Sequence, residues 1–445
     1  MNWFYSRIKD LGERECIKDS TGCYTYQDLS NRIDTIKDKL INVQKGSVVA
    51  ILSDYNFFSI SLFLCLLYKK CIIVPIVSAV DIEIKRRIKT ASVKIVIQIT
   101  QNGDLSFNQQ EKKDDHQLTL KLKEDGKAGL ILFSSGSTGE PKAMIHNLET
   151  LVQSYAGKKI RKLNILIFLM FDHIGGLNTL LNALSMGACI ILPDNRNASD
   201  IAELIEKHKV HILPASPTFL NLMLIDNVTE KYDLTSIKMI TYGTEPMPAE
   251  LLHRLRKSFR KTRFLQTFGT SETGIIQTSS KSSDSLEIKL DDPNQEYKIV
   301  EGELWLRSKT QILGYLNANM ESFTDDGWFR TGDLVEKFDN GYIKIVGRLN
   351  EIINVGGEKV LPTEIESVLM ELDIVSDALV YGATNAITGQ TVVASIVLRE
   401  DIDKKYAKKE IRKYCITRLS AFKVPTKITF QEKTKFGDRF KKIRL

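Results

Sequence analysis

The sequence predicts an α/β protein, with a large N-terminal domain of layered, mostly parallel sheets and helices and a small α+β C-terminal domain. Short apolar runs alternate with helix-like segments through the first half of the chain, as is typical of parallel strands joined by helices. The length of 445 residues exceeds that of a usual single domain. A hydrophobic fraction of 43% is enough for extended cores.

The predicted strands of the large domain are short apolar runs. They cover residues 48–52, 72–77, 93–99, 130–133, 165–171, 188–192, 212–215 and 239–242. The longest apolar run, residues 57–68, is followed by two lysines and is too short to cross a bilayer. We therefore expect it to form a buried helix, and we expect no integral membrane segment.

Towards the C-terminus the pattern becomes more β-like, around Trp305 and over residues 343–346, which predicts a β-rich subdomain. Residues 362–372 then form an amphipathic helical pattern that begins with proline, a favourable residue in a first helical turn. Residues 374–382 and 390–398 predict strands of a small α+β unit. We place the boundary at residues 348–350, between a domain of residues 1–347 and one of residues 348–445.

Composition and charge argue against several classes of protein. The net charge of +7 is modest and is spread along the chain without an aromatic-interleaved basic stripe, so no nucleic acid partner is expected. Residues 1–13 lack the basic and apolar regions of a secretion signal. The six cysteines form no C-x-x-C pair, so zinc and disulfide frameworks are not expected and a cytoplasmic location fits best.

A loop rich in serine and glycine follows the strand predicted at residues 130–133. It reads S-S-G-S-T-G-E-P-K, with hydroxyls on Ser134, Ser135, Ser137 and Thr138. Gly136 and Gly139 lack a Cβ and let backbone amides turn towards an anion. Lys142 adds a point charge suited to a polyphosphate. A loop of this composition alone is more often a flexible turn, so the prediction of ATP binding depends on the motifs that follow.

The loop is not the phosphate-binding loop of P-loop NTPases. That motif needs lysine directly after its last glycine, followed by serine or threonine. Here Glu140 and Pro141 separate the last glycine from Lys142, and Ala143 follows the lysine. The sequence therefore excludes a P-loop NTPase.

Further motifs follow in a fixed order. They are Q-T-F-G-T-S-E-T-G at residues 266–274, G-E-L-W-L at 302–306, D-G-W-F-R-T-G-D at 326–333 and G-R-L-N-E-I-I-N-V-G-G-E-K-V at 347–360, and Y-T-Y-Q-D-L precedes them all at 24–29. Together with the serine- and glycine-rich loop, the set resembles the adenylate-forming superfamily of acyl-CoA synthetases, aryl-acid and amino-acid adenylating domains and luciferases. The resemblance spans most of the chain.

The resemblance implies an ATP site with Mg²⁺. Ser137, Thr138 and Lys142 would hold the β- and γ-phosphates, and Ser271 would contact the α-phosphate. Glu272 would ligate Mg²⁺, Asp333 would accept hydrogen bonds from the ribose, and Arg348 would stand nearby. Adenine would lie between two short segments. One is Phe268 with Gly269, and the other is the strand end formed by Gly243, Thr244 and Glu245. Most relatives have tyrosine in place of Phe268, and phenylalanine keeps the stacking surface.

The resemblance also implies a pocket for the acid. F-D-H-I-G-G-L at residues 171–177 resembles F-H-x-x-G, which would place His173 beside the substrate carboxylate, although a lone histidine in an apolar stretch is usually a core residue. Asp172 is unusual for the family. It could correspond to the aspartate that binds an α-amino group, but the register is one residue off. Ile174 argues against dihydroxybenzoate as the acid.

The C-terminal lysine is the weakest match to the family. Relatives carry P-x-T-x-x-G-K, with a lysine that assists adenylation, whereas this tail reads K-T-K-F-G-D-R-F-K-K-I-R-L. A literal match places Asp438 where lysine belongs, while counting without gaps from Val424 gives Lys441. Lys442 is the second candidate, and a tail with no catalytic lysine stays open. The resemblance further implies that the small C-terminal domain is mobile, with Asn350, two places after the Gly-Arg pair, as its hinge.

The function predicted is an ATP-dependent ligase that forms an acyl-adenylate from a small carboxylic acid, releases pyrophosphate and transfers the acyl group to a thiol. The acceptor would be CoA, with a fatty or aromatic acid as substrate. One alternative is the phosphopantetheine of a carrier protein, arriving in trans because no carrier domain follows Leu445. Another is a degenerate nucleotide-binding regulatory protein, which only the irregular tail supports.

Overall fold

The computed structural model describes residues 2–100, 102–111, 114–134, 140–399, 402–433, 435–437 and 440–442. Its α-helices are α1 (Asn2–Asp10), α2 (Tyr26–Lys39), α3 (Phe57–Tyr68), α4 (Asp81–Thr90), α5 (Gln117–Glu124), α6 (Leu148–Gln153), α7 (Ile174–Ser185), α8 (Ala198–His208), α9 (Pro217–Ile225), α10 (Val228–Lys231), α11 (Ala249–Ser258), α12 (Pro362–Met370) and α13 (Lys404–Arg418). Short 3₁₀ turns cover Asp339–Gly341, Leu349–Glu351 and Ala421–Lys423.

The strands of the first half are β1 (Glu15–Asp19), β2 (Gly22–Thr25), β3 (Val48–Leu52), β4 (Ile72–Ile76), β5 (Ile95–Ile99), β6 (Leu105–Gln109), β7 (Gly129–Phe133), β8 (Ala143–Asn147), β9 (Asn164–Leu166), β10 (Cys189–Ile191), β11 (Ile212–Ala215), β12 (Met239–Tyr242) and β13 (Arg263–Gln266). Those of the second half are β14 (Phe268–Thr270), β15 (Gly274–Ile276), β16 (Thr278–Ser280), β17 (Ile288–Leu290), β18 (Gln295–Val300), β19 (Glu303–Ser308), β20 (Gly314–Tyr315), β21 (Phe329–Lys337), β22 (Ile343–Arg348), β23 (Ile353–Val355), β24 (Glu358–Val360), β25 (Val375–Asn385), β26 (Gly389–Leu398) and β27 (Lys427–Gln431).

Two seven-stranded sheets form the first layers of the fold. The first has the order β13-β12-β11-β9-β10-β1-β2 and is parallel except for the β1–β2 hairpin. The second has the order β20-β8-β7-β4-β3-β5-β6, with β7, β4, β3 and β5 parallel in its centre and antiparallel strands at its edges. The predicted α/β class with mostly parallel sheets is confirmed.

Helix α3 packs in the core between these two sheets. It is apolar all round, and a capping box of Asn56 and Ser59 satisfies amides of its first turn. Its core cluster includes Ile51 from the second sheet and Ile165 from the first. Burial on all sides is what an unbroken apolar run of this length requires, as the sequence predicted.

The strand predicted at residues 165–171 is wrong at its C-terminal end. Strand β9 stops at Leu166, and the apolar chain then continues as a loop up to α7. Arg196 donates from Nε to the carbonyl of Phe168 over 2.6 Å, and Asp54 accepts the amide of Phe171 over 3.1 Å. Side chains from elsewhere in the chain therefore satisfy this backbone in place of a neighbouring strand.

The second half of the chain contains the β-rich part and the small α+β part. An antiparallel sheet has the order β16-β17-β22-β21-β19-β18, and the hairpin β14–β15 stands apart from it. The last sheet has the order β24-β23-β26-β25, with β27 parallel to β26. One hydrophobic cluster joins Leu213 and Phe219, from the part of the chain with the two seven-stranded sheets (the large part), to Ile365 and Val380, from the small α+β part (the small part). No helix of the described part of the chain could span a membrane.

Candidate active site

A cavity of about 330 Å³ opens where the parallel strands of the first sheet end. The ends of β11 and β12 and the start of β14 contribute to its wall, and ligands commonly bind at such carboxyl edges in open α/β sheets. The predicted site residues that line it are Ser134, Lys142, His173, Gly243, Thr244, Phe268, Gly269, Ser271, Glu272, Arg348 and Lys441. Residues as far apart in sequence as Ser134 and Lys441 thus share one cavity.

Two groups of predicted residues are missing from that set, for different reasons. Ser135, Gly136, Ser137, Thr138 and Gly139 lie outside the described residues. Asp333 is buried beside Arg348, and Glu245 lines a neighbouring, smaller cavity.

Glu272 is held in place by a tyrosine that sequence reasoning missed. The hydroxyl of Tyr315 donates to Glu272 Oε1 over 3.0 Å, and the Nζ of Lys142 lies 5.3 Å from the centre of the Tyr315 ring. Burial, with the Glu272 carboxylate beside it, raises the pKa of Tyr315, so the phenol stays a protonated donor. No local pattern marks Tyr315, because its place is set by the pairing of β20 with β8.

The oxygen atoms of several side chains that line the cavity are suitable ligands for Mg²⁺. A single carboxylate, Glu272, stands with the hydroxyls of Ser134 and Ser271 around the cavity. Mg²⁺ prefers such hard oxygen ligands and is often bound by one or two carboxylates together with substrate phosphates. No group of three or more His, Cys, Asp and Glu side chains in the described ranges could hold a metal ion by itself.

Asp333 and Arg348 form a pair fixed by the β21–β22 ladder, in which they lie directly opposite each other. Arg348 Nε donates to Asp333 Oδ1 over 3.0 Å, and the amide of Asp333 donates to Thr331 Oγ1 over 3.0 Å. Burial raises the pKa of the Asp333 carboxyl, while the charges of Arg348 and Lys441 oppose that rise. Arg348 lines the cavity, and the carboxylate of Asp333 is buried directly behind it.

The strand end after β12 is shaped by the backbone of the next segment. A Cβ on Gly243 would lie 2.7 Å from the carbonyl oxygen of Thr267, so glycine is required there. Thr244 has a φ of 74°, and its buried Oγ1 has no hydrogen-bond partner among the described residues. Phe268 lines the same cavity from the hairpin β14–β15. An aromatic face and a polar atom therefore stand at one end of the cavity.

Glu245 has a different position from the one predicted. Its carboxylate accepts the amide of Thr218 over 2.7 Å and the amide of Lys442 over 3.3 Å. Burial raises the pKa of this carboxyl. Glu245 therefore contacts the start of α9 and the chain's C-terminal segment rather than the cavity that Gly243 and Thr244 line.

His173 caps α7 and lines the cavity. Its Nδ1 accepts the amide of Gly175 over 3.0 Å, so a neutral imidazole carries its proton on Nε2 and is a donor there. The adjacent Asp172 lines a different cavity and pairs with Arg87 Nη1 at 2.7 Å. Asp172 and His173, although adjacent in sequence, thus line different cavities.

The wall beyond His173 mixes apolar and polar groups. Leu169, Ile174 and Ile275 supply apolar surface. Asn178 lines the same wall, and its Oδ1 accepts the hydroxyl of the partly buried Tyr155 over 2.6 Å, which leaves the amide NH₂ as its donor. This part of the cavity suits an organic group with some hydrogen-bonding capacity.

The two candidate lysines of the tail are in different environments. Lys441 lines the cavity with Glu272 and Arg348. Lys442 Nζ donates to Asp377 Oδ1 over 2.6 Å and to the Ala378 carbonyl over 2.7 Å. Of the two lysines, Lys441 is therefore the one that lines the cavity with the other predicted site residues. Asn350 also lines the cavity, from the turn after β22.

Comparisons with known proteins agree with this geometry. The family model of AMP-binding enzymes matches residues 4–316, and that of the AMP-binding enzyme C-terminal domain matches residues 364–436. The 4-coumarate–CoA ligase-like 2 of Arabidopsis thaliana is 26% identical over 80% of this chain and 66% of its own. The 4-coumarate-CoA ligase 1 of Narcissus pseudonarcissus is 30% identical over 69% of this chain and 63% of its own.

A third relative, the indoleacetate–CoA ligase of Aromatoleum aromaticum, is 29% identical over 68% of this chain and 63% of its own. The chain thus spans less than two thirds of the length of each of these three relatives.

Two solved structures share the fold. The anthranilate CoA ligase AuaEII in complex with anthranoyl-AMP gives a TM-score of 0.82 at 20% identity, covering 99% of this chain and 95% of its own. The o-succinylbenzoate CoA synthetase MenE of Bacillus subtilis, in complex with its acyl-adenylate intermediate, gives 0.79 at 22% identity, covering 100% and 97%.

Proposed function

We propose that this chain, which belongs to the family of AMP-binding enzymes, is an ATP-dependent acid–thiol ligase that works through an acyl-adenylate. The observation that carries the proposal is the single cavity that Lys142, Ser271, Glu272, Arg348 and Lys441 line together with His173. Three cations, a carboxylate, a hydroxyl and an imidazole around one space are what a reaction between two anions needs.

In the first step an oxygen of the substrate carboxylate attacks the α-phosphorus of ATP. A mixed anhydride forms between the carboxylate oxygen and the α-phosphorus, the bond from the α-phosphorus to the oxygen bridging it to the β-phosphorus breaks, and pyrophosphate leaves with that electron pair. Both reactants are negatively charged, so donors and cations fixed in advance lower the barrier. We assign Lys142 to the β- and γ-phosphates, Ser271 to the α-phosphate, and Lys441 to the carboxylate and α-phosphate.

The remaining residues hold the substrates. Asp333 would accept hydrogen bonds from the ribose hydroxyls, with Arg348 fixing its carboxylate, and Phe268 would stack on adenine. His173 Nε2 would donate to the substrate carboxylate. Glu272, oriented by Tyr315, would hold Mg²⁺, which when bound supplies positive charge next to the phosphates.

In the second step a thiol attacks the carbonyl carbon of the adenylate, an acyl thioester forms and AMP leaves. We propose CoA as the thiol, because the curated relatives bear the names of CoA ligases. We also propose that residues 1–347 and 348–445 are the two domains and that Asn350 is the hinge between them. The phosphopantetheine of a carrier protein is the second candidate acceptor.

We propose an aromatic or fatty acid as the substrate. Leu169, Ile174 and Ile275 give the cavity an apolar side, and the relatives are named for 4-coumarate and indoleacetate. A regulatory protein that binds nucleotide without chemistry is disfavoured, since such a protein has no need of Lys142, Glu272 and Lys441 in one cavity.

The test is ATP–pyrophosphate exchange with the purified chain against a panel of aromatic, fatty and amino acids, followed by detection of thioester with CoA or with a phosphopantetheinyl carrier protein. Exchange with at least one acid, and a thioester with CoA, are expected. Nucleotide binding without exchange for any acid would instead indicate the regulatory alternative.

A further inference from the structure

We propose that Lys442 and Phe440 are positioning residues that lock the C-terminal segment between the large and the small part of the chain and thereby hold Lys441 in the cavity. The adjacent lysines would then have separate tasks, one in contact with substrates and one as an anchor. This inference rests on the proposed function for the role of Lys441, but the lock itself has a structural test of its own.

The Lys442 side chain is an anchor because its charge is buried and paired. Only 12% of the Lys442 side chain and 4% of the Asp377 side chain are exposed, and Nζ also donates to the Ala378 carbonyl over 2.7 Å. A buried ammonium loses its hydration, so it needs such partners, and removing one partner of a buried pair leaves the other charge uncompensated. Asp377 belongs to β25 of the small part.

The backbone of the same residue is tied to the large part. The amide of Lys442 donates to Glu245 Oε2 over 3.3 Å, and the other oxygen of Glu245 accepts the amide of Thr218 at the start of α9. Lys442 therefore joins β25 of the small part to the loop after β12 and to α9 of the large part.

Phe440 provides a second anchor one residue before Lys441. Its ring centre lies 4.9 Å from that of Phe168 and 5.5 Å from that of Phe219, and its carbonyl accepts the hydroxyl of Ser216 over 2.7 Å. Phe440 has a φ of 50°, an unfavourable conformation for a bulky residue. Such a conformation persists only where surrounding contacts impose it, so the aromatic packing and the Ser216 bond fix the chain direction here.

Lys441 lies between these two anchors. Because both of its neighbours are held by the large part, and Lys442 also by the small part, Lys441 stays in the cavity that it lines with Glu272 and Arg348 for as long as both anchors are formed. A displacement of about 1 Å in a positioning element can cost on the order of 10²-fold in rate. Loss of the Lys442 anchor should therefore act through Lys441.

The functional test replaces Lys442 by the apolar Met, which has a similar shape. Lys442→Met should lower kcat for ATP–pyrophosphate exchange roughly 10- to 100-fold, with the KM for ATP changed less than about twofold because the phosphate ligands stay in place. Thioester formation from chemically supplied acyl-adenylate should stay within about twofold of wild type, since Lys441 acts only in adenylate formation. The exposed Lys433, in the same tail, gives the matched control Lys433→Met, which should keep wild-type exchange.

Asp377 provides the second variant. If Lys442 acts through its ion pair, Asp377→Asn should lower exchange as well, and the double variant should be no slower than the slower single variant. Wild-type exchange in a folded Lys442→Met protein would overturn the proposal. So would an equal loss in both half-reactions together with a lower melting temperature, since that pattern indicates a merely structural role.

A measurement independent of activity tests the lock even if no acid supports exchange. Acetic anhydride labelling of the intact wild-type chain, read by mass spectrometry, should modify Lys442 at least about tenfold more slowly than Lys433, because a buried, paired amine is protected. Equal labelling rates at the two lysines would overturn the lock whatever the enzyme does. Protection of Lys442 without exchange for any acid would refute the proposed function and leave the lock standing.

Discussion

Replacing Tyr315 by phenylalanine removes one hydroxyl, the one that donates to the cavity residue Glu272, and nothing else. That hydroxyl donates to Glu272 Oε1 over 3.0 Å, and Tyr315 is only 5% exposed. A hydrogen bond to a charged group contributes about 1.5–3 kcal/mol, and about 1.4 kcal/mol corresponds to a tenfold change in rate. If the orientation of Glu272 matters fully in the transition state, Tyr315→Phe should lower kcat/KM for adenylation roughly 10- to 100-fold.

The assay is ATP–pyrophosphate exchange measured over a range of Mg²⁺ concentrations. Because the ring remains beside Lys142, only the orientation of the Glu272 carboxylate should change. The Mg²⁺ concentration that gives half of the maximal rate should therefore rise. Tyr414→Phe is the matched control, since Tyr414 donates to a glutamate, Glu371, over 2.6 Å at the exposed surface of the small part. A Tyr315→Phe rate and Mg²⁺ dependence as close to wild type as those of the control would refute the assignment of Glu272.

Three further changes test other parts of the molecule. Glu272→Ala should lower pyrophosphate exchange by about 10²-fold or more, the scale for one fixed electrostatic group, and near wild-type exchange in a folded variant would reject Glu272. Asn350→Pro should spare exchange and suppress thioester formation because proline fixes φ, whereas equal losses in both half-reactions would argue against a hinge. Burial lowers the pKa of His146 to about 4, so this group weakens the fold as pH falls from its ordinary value near 6.5 towards 4. The unfolding free energy of wild type should thus drop by about 3 kcal/mol more than that of His146→Leu between pH 7 and pH 4, measured by urea titration, and equal drops would contradict a buried neutral imidazole.

Elements fixed by local pattern could be predicted from the sequence. Helix α3 at 57–68 and strands β3, β11 and β12 have the predicted bounds, because an apolar run between polar boundaries determines both the type and the length of a buried element. The apolar run at residues 165–171 could not be separated from sequence into the strand β9 and the loop that follows it. Its last residues are as apolar as a strand, but Asp54 and Arg196 bind their backbone, and those partners are 117 and 28 residues away.

The site shows the same division between local motif and distant partner. The motifs place Ser271, Glu272 and Asp333 near one another only through their resemblance to a family, since nothing local in the sequence brings them together. The Tyr315–Glu272 bond joins residues 43 apart, and the Lys442–Asp377 pair joins residues 65 apart. Each depends on how β20 or β25 packs in its sheet, which no short pattern encodes.

The position of Asp172 in the structure bears on which class of acid the cavity accepts. Its sequence position next to His173 left open an interaction with a substrate α-amino group. In the structure its side chain is 4% exposed, pairs with Arg87 at 2.7 Å and lines the cavity near α4, whereas His173 lines the one with Glu272 and Lys441. Asp172 Oδ2 pairs with Arg87, which also pairs with Glu83, and these three residues line the cavity near α4 rather than the one that Glu272 and Lys441 line. Acids without an α-amino group therefore come first in the panel, with His173 as the proposed donor to their carboxylate.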